Sequence, residues 1–297
     1  MNIVVSGARG LVGSALVPAL ESDGHTVRRL TRGKAEGHDV SWDPSGGTID
    51  VDALHDAEAV IHLAGEGIAE RRWSDEQMAR IRDSRVRGTS LLAESLAKLP
   101  TPPQVLISAS AIGYYGDRGE ETLTEDSSPG DDFLADVCVE WEAATAPAEH
   151  VGVRVVHLRT GIVLAPGGGS LDRQVRMFKL GLGGRLGSGR QYVSWISLDD
   201  EVGAIRHLLD TATARGPHNL TSPGVVTNAE LTRTLARVLR RPAVIPVPAF
   251  ALDLVLGDGL SRSLVLASQR VVPNRLLEAD YEFRHPDLEG ALRHVLG

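Results

Sequence analysis

The chain has 297 residues with a formal net charge of -8, of which 42% are hydrophobic and 24% charged, and a single cysteine, Cys138. These values fit a soluble globular protein with a sizeable core, built as one large domain or as a domain with a smaller lobe. They argue against nucleic-acid and anionic-membrane partners, and they exclude an internal disulfide or thiolate metal cluster. No apolar stretch is long enough to span a bilayer, and the first strand begins without a signal-peptide pattern, so a reducing cytoplasm is the expected setting.

Residues 2–6 open the chain as a β-branched run, and Gly7, Gly10 and Gly13 follow at intervals of three. Leu11, Val12, Ala15, Leu16 and Leu20 then recur at helical spacing. A strand, a tight turn and a helix in that order form the phosphate-binding start of a βαβ unit. Gly7 allows the turn, Gly10 lets a pyrophosphate approach the backbone, and Gly13 lets helix and strand pack closely. Leu11 and Val12 place the helix N-terminus against the phosphates.

A second strand, 26–32, ends in Thr31-Arg32, with Lys34 beyond it and Arg9 in the glycine turn. A carboxylate at this strand end would take a free ribose 2′-hydroxyl; two arginines instead favour a 2′-phosphate, so NADP is expected rather than NAD. His38 to Asp43 suggests a short third strand, in which Trp42 is positioned to flank an adenine. The apolar run Ala59 to Gly65 reads as a central strand buried on both faces, and its small end, Leu63-Ala64-Gly65, leaves room for the cofactor.

A helix is expected over 75–99, stopped by prolines, then a strand over 104–110 that carries Ser108 into the cofactor-binding set and Ser110 to its end. Tyr114 and Tyr115 follow in a loop, a helix over 133–149, and a strand over 154–159. Strands alternating with helices imply an α/β fold, a Rossmann-type doubly wound parallel sheet with ligands at the carboxyl ends of its strands. From Ala165 the texture becomes glycine-rich, so the expected division is a nucleotide-binding domain over 1–165 and a smaller C-terminal substrate lobe over 166–297, some of whose strands return to the sheet. Within the lobe, 195–198 suggests a strand, 199–209 a helix, and Thr227 with Glu230 an N-cap opening a helix to Leu239. His55, His62, His150, His157, His207 and His218 lack metal-ligand spacing, so no metal site is expected; no Gly-x-Ser-x-Gly elbow supports a serine hydrolase.

Gly7-x-x-Gly10-x-x-Gly13, His62-Leu63-Ala64-Gly65, the serine-rich strand before Tyr115-Gly116, and Asp199-Asp200 together resemble the extended short-chain dehydrogenase/reductases, which include NAD(P)-dependent epimerases and dehydratases. Residues 181–184, 187–191, 194–196 and 270–273 are similar to an atypical, sugar-nucleotide-epimerase-like subfamily with a C-terminal helical segment. The resemblance implies an NADP-binding epimerase or oxidoreductase acting on a small polar or nucleotide-linked molecule, with a homodimer as a candidate assembly. It also implies substrate contacts from Arg190, Gln191 and Trp195.

The family's Tyr-x-x-x-Lys pair is missing. Alignment on Trp141-Glu142 puts Leu134 and Cys138 in those positions, and neither can exchange a proton with a phenol's chemistry. The usual Ser/Thr position falls on Ala111, one residue after Ser110, and Arg85 replaces an asparagine, from where it is expected to reach the cofactor. Tyr115, Ser110 and Tyr114 are therefore the candidate proton-transfer residues, with Glu66 a further donor near the nicotinamide end. A catalytically silent NADP-binding sensor is the alternative.

Overall fold

The computed structural model describes residues 1–33, 35, 37 and 39–297. Lys34 and His38, both named in the sequence reading, lie outside the described residues.

The first strand, β1 (Asn2–Ser6), has Ile3, Val4 and Val5 fully buried. It leads through the glycine turn into α1 (Leu11–Ser22), which buries Gly13, Leu16, Val17 and Leu20. Next come β2 (Thr26–Arg32), β3 (Val40–Asp43), β4 (Thr48–Ile49) and β5 (Ala59–His62), the last buried at all four residues, as a strand covered on both faces requires. The long helix α2 (Asp75–Ala97) is opened by Ser74, whose side chain accepts from the Gln77 backbone N–H. β6 (Val105–Ala111), the short β7 (Thr122–Leu123) and β8 (Arg154–Thr160) follow.

Among the described residues, eight strands form one sheet in the order Gly216–Leu220, β8, β6, β5, β1, β2, β3, β4. The pairs β1–β2, β1–β5, β2–β3 and β5–β6 are parallel, and β4 returns antiparallel on β3. This is the Rossmann-like sheet expected from the sequence. Two of its members were not legible there. β4 has only two residues, and Gly216-Pro217-His218-Asn219-Leu220 has neither alternation nor β-branched residues.

The helix expected over 133–149 is two helices, α3 (Phe133–Ala143) and α4 (Ala146–His150), the second with a proline in its first turn.

The chain divides into two compact units that interleave. The first comprises Met1–Ser110, Val137–Leu158 and Val202–Pro217; the second comprises Ala111–Asp136, Arg159–Glu201 and His218–Gly297. The division thus differs from a single boundary at 165. The chain leaves the first unit at the carboxyl ends of β6 and β8, where a parallel sheet sends its loops outward. The first unit has a core around Val4, Leu30, Trp42, Val60, Leu92 and Leu106. In the second unit, Trp195, Phe178, Leu231, Leu235 and Leu292 form another core.

Candidate functional site

The glycine turn is built by contacts that tolerate no side chain. Gly7 has φ +68°, and a Cβ on it would lie 2.7 Å from the Leu63 carbonyl carbon and oxygen. A Cβ on Gly13 would lie 2.3 Å from the Gly7 oxygen, so α1 packs on the turn itself. Gly10, exposed, meets only the Gly7 oxygen at 3.2 Å from where its Cβ would be. No side chain caps α1 at Gly10, which leaves the N-terminal end of the helix dipole facing outward.

The floor of the site is tied together by Ser6. Its Oγ accepts from the backbone N–H of Leu63 (3.1 Å) and of Ala64 (3.2 Å), and lies 2.6 Å from His62 Nδ1. With both lone pairs occupied, the hydroxyl donates its one proton to Nδ1. His62 is then the neutral Nε2–H tautomer, and burial pulls its pKa down to about 4. Nε2 has no hydrogen-bond partner among the described residues, and the imidazole stands edge-on to Trp42 at 5.8 Å between ring centroids.

Above this floor lies a cleft of about 550 Å³. The glycine turn, Ala8 and Arg9 form one wall; the β2 end with Arg29, Thr31 and Arg32 forms another, joined by Trp42, Pro44, and Leu63 to Glu66 with Ser84. Arg9 and Arg32 are exposed and have no hydrogen-bond or ion-pair partner among the described residues, whereas Arg29 is paired with Glu21 at 3.3 Å. Thr31 Oγ1 is buried and has no hydrogen-bond partner among the described residues.

The cleft brings together Gly7, Arg9, Gly10, Thr31, Arg32, Trp42, Leu63, Ala64 and Gly65 of the expected set. Leu11, Val12 and Gly13 stand directly behind the turn in α1. Ser108 is fully buried in β6. Arg85 is set back from the cleft: its Nη1 donates to the carbonyls of Glu66 (3.0 Å) and Ile81 (3.1 Å), and its guanidinium lies 5.0 Å over the Trp141 ring. Burial lowers its pKa, opposed by the neighbouring Cys138 and Glu66, and it remains cationic. A Cβ on Gly65 would sit 3.4 Å from that guanidinium, so the backbone at Gly65 packs closely against it. Ala8, Arg29, Pro44 and Ser84 were missed by the sequence reading. Ser84 lies on the helix expected over 75–99, with nothing in the sequence to mark it, and its Oγ accepts from the Glu66 N–H at 3.0 Å.

The proton-transfer candidates have different surroundings. Ser110, at the end of β6, donates to Glu142 Oε1 at 2.7 Å. Tyr115 is fully buried beside Ile112, Leu123 and Val271. Its hydroxyl donates to Asn219 Oδ1 at 2.7 Å and accepts from Arg159 Nη1 at 3.1 Å, and burial pushes its pKa up to about 12 against the opposing effect of Arg159. Tyr114 is half-buried with the Arg159 guanidinium 3.4 Å over its ring. Leu134 and Cys138 are both buried.

Of the expected substrate contacts, Arg190 is exposed and Gln191 is buried, its Nε2 donating to the Leu186 carbonyl at 3.0 Å. Trp195 is fully enclosed in the second unit's core, where its Nε1 donates to the Gly224 carbonyl at 2.9 Å, so the indole packs with its one donor satisfied. Glu201 is likewise enclosed. Its Oε1 accepts from Thr160 at 2.8 Å, Oε2 has no hydrogen-bond partner among the described residues, and burial pushes its pKa up to about 8.

Comparison with known proteins agrees with this geometry. The model of the NAD dependent epimerase/dehydratase family matches residues 3–221, and a domain of unknown function matches 247–295. An epimerase family protein of Mycobacterium tuberculosis is 43% identical over 294 residues, covering 99% of this chain and 97% of its own. A chloroplastic epimerase family protein of Arabidopsis thaliana is 38% identical, covering 100% of this chain and 87% of its own. The crystal structure of the human epimerase family protein SDR39U1 (isoform 2) with NADPH has a TM-score of 0.90 at 33% identity, covering 99% of both chains. No helix among the described residues is long and apolar enough to cross a membrane. With its glycine turn, its sheet and these full-length relatives, the chain belongs to the NAD-dependent epimerase/dehydratase family, as an atypical extended short-chain dehydrogenase/reductase.

Proposed function

We propose that the protein is an NADP(H)-dependent oxidoreductase of epimerase type, acting on a small polar or nucleotide-linked substrate without a Tyr-x-x-x-Lys pair. The observation that carries this reading is the cleft at the glycine turn, where, among the described residues, Arg9 and Arg32 stand without hydrogen-bond or ion-pair partners and no carboxylate lines the β2 end. The residues fit the cofactor. Side-chain-free backbone at Gly7 and Gly10 and the uncapped α1 suit a pyrophosphate. The orphaned Thr31 hydroxyl and the two guanidiniums suit a phosphorylated ribose. The human relative crystallised with NADPH supports the same choice.

A bound nicotinamide would supply hydride exchange. The chain's own contribution is then a proton donor. Ser110, polarised by Glu142, and Tyr114 are the first candidates; Tyr115 holds its proton at neutral pH and donates it to Asn219. Arg190 and Gln191 are proposed to meet the substrate. A cytoplasmic setting suits the lone cysteine, and a homodimer is the assembly to be checked by sedimentation.

Titration of the pure protein with NADPH and NADH, followed by reduced-nicotinamide fluorescence, is expected to show NADPH binding at least about tenfold tighter, a difference of about 1.4 kcal/mol. Equal affinities would overturn the cofactor choice. A second reading, an NADP-binding sensor without catalysis, is favoured by one observation, the enclosure of Tyr115 together with Leu134 and Cys138. Incubation of NADPH with carbonyl compounds and sugar nucleotides separates the two: turnover lost in Ser110→Ala supports the enzyme, and tight binding with no turnover across the panel supports the sensor.

A further inference from the structure

We propose that Asp199, His285 and His294 form a binding site for a divalent transition-metal ion of the zinc class, which staples the C-terminal segment to the start of the helix Leu198–Asp210. The site lies wholly within the second unit and does not rest on the cofactor reading. It also departs from the sequence expectation of no metal site, since His285 and His294 are nine residues apart and show no ligand spacing.

Three elements bring the ligands together, each fixed by its own packing. Asp199 stands in the first turn of its helix, and its neighbour Asp200 is fully buried. Asp200 accepts the backbone N–H of Arg284 (2.7 Å) and of His285 (3.0 Å), and the Ser197 hydroxyl at 2.7 Å, which sets the His285 backbone beside Asp199. His294 is carried on the helix Leu288–Leu296, anchored in the core by Leu288, Ala291 and Leu292.

The donor atoms converge. His294 Nε2 is 2.8 Å and His285 Nε2 3.6 Å from the same Asp199 oxygen, Oδ2, and all three ligand atoms lie within 4.8 Å of one another. A tetrahedral zinc ion with bonds of about 2.0–2.1 Å separates its ligand atoms by roughly 3.3 Å, between the two separations seen here. The two imidazoles stack at 4.4 Å between centroids with 25° between their planes, and a turn of the half-exposed His294 ring about its side-chain torsions directs both in-plane Nε2 lone pairs at one ion. Without metal, His294 Nε2–H donates to Asp199; on metal binding that proton sits on Nδ1 and Nε2 presents its lone pair. Two imidazoles and one carboxylate suit zinc, nickel or copper rather than calcium or magnesium, and three protein ligands leave one position for water.

The test uses untagged full-length protein stripped with a chelator and titrated with zinc sulfate in a calorimeter. One ion per chain is expected, with a rise in Tm of several degrees, and cobalt(II) is expected to give the visible bands of a four-coordinate site. His285→Ala and His294→Ala should each weaken binding at least about tenfold, and His207→Ala, away from the cluster, should leave it unchanged. His294 is half exposed, so its replacement leaves the core packing in place; Asp199→Asn provides a further variant with the shape of the side chain kept. No zinc binding, or binding of equal strength in the His285→Ala/His294→Ala double variant, would overturn the proposal.

Discussion

Gly13 and Arg32 carry opposite duties, one by having no side chain and the other by a charge left unpaired. A methyl group on Gly13 meets a backbone oxygen at 2.3 Å, which cannot rotate away. Gly13→Ala is therefore expected to destabilise the protein by about 1–3 kcal/mol, measured by urea denaturation, and to weaken NADPH binding with it. Arg32→Ala leaves the fold untouched because the side chain is exposed and has no partner among the described residues. Hydrogen bonds to a charged group contribute about 1.5–3 kcal/mol, so the variant should bind NADPH more than about tenfold more weakly and NADH unchanged. An unaltered NADPH/NADH ratio would refute the role given to Arg32. Both positions were legible in the sequence because glycine spacing and strand-end charge are local signals. Ser84 and Pro44 were not, since they reach the cleft only through the packing of α2 and β3 against it.

At the level of elements, the helix Asn228–Leu239 shows how sequence pattern becomes packing. Thr227 Oγ1 accepts from the Glu230 N–H at 3.3 Å, and Glu230 Oε2 accepts from the Thr227 N–H at 2.7 Å, closing the capping box expected from Thr227 and Glu230. The hydrogen bonds from Thr227 hold the Glu230 carboxyl below its ordinary pKa. The cap sets the helix so that Leu231 and Leu235 enter the second unit's core. Thr227→Ala is expected to cost about 1 kcal/mol, read from the urea midpoint. The strand Gly216–Leu220 is the counter-example. It is held in the sheet by its neighbour β8 and by nothing its own residues advertise, so no local reading finds it. The same holds for the Ser6 hydroxyl, whose partners lie 56 to 58 positions away.

For the whole molecule, two buried titrating groups shape the dependence of stability on pH, one in each unit. His62 falls from an ordinary 6.5 to about 4, so the unfolded chain binds the extra proton between those values and stability is lost as pH falls through that window. Glu201 rises from an ordinary 4.5 to about 8, so the folded chain holds the extra proton and stability is lost as pH rises from 4.5 to 8. Each contributes a slope of about 1.4 kcal/mol per pH unit within its window. Between 4.5 and 6.5 the slopes oppose, and above 6.5 only that of Glu201 remains. Urea denaturation is expected to show little change for these two groups across the lower range and a decline from 6.5 to 8. Glu201→Gln, neutral at every pH, should abolish the decline; persistence of the same slope in that variant would show that another group causes it.

The interleaving of the two units also bears on how the protein is made. Every residue lining the cofactor cleft lies between Gly7 and Ser84, so the ribosome delivers the whole site early. The unit that holds it takes its last segment from Val202–Pro217, after all of Ala111–Asp136 and of Arg159–Glu201 have been synthesised. A nascent chain thus carries a complete set of cleft residues on an incomplete sheet from Ser84 until the strand Gly216–Leu220 has been made. Its apolar β5, buried on both faces in the finished fold, is the strand that most needs shelter during that interval.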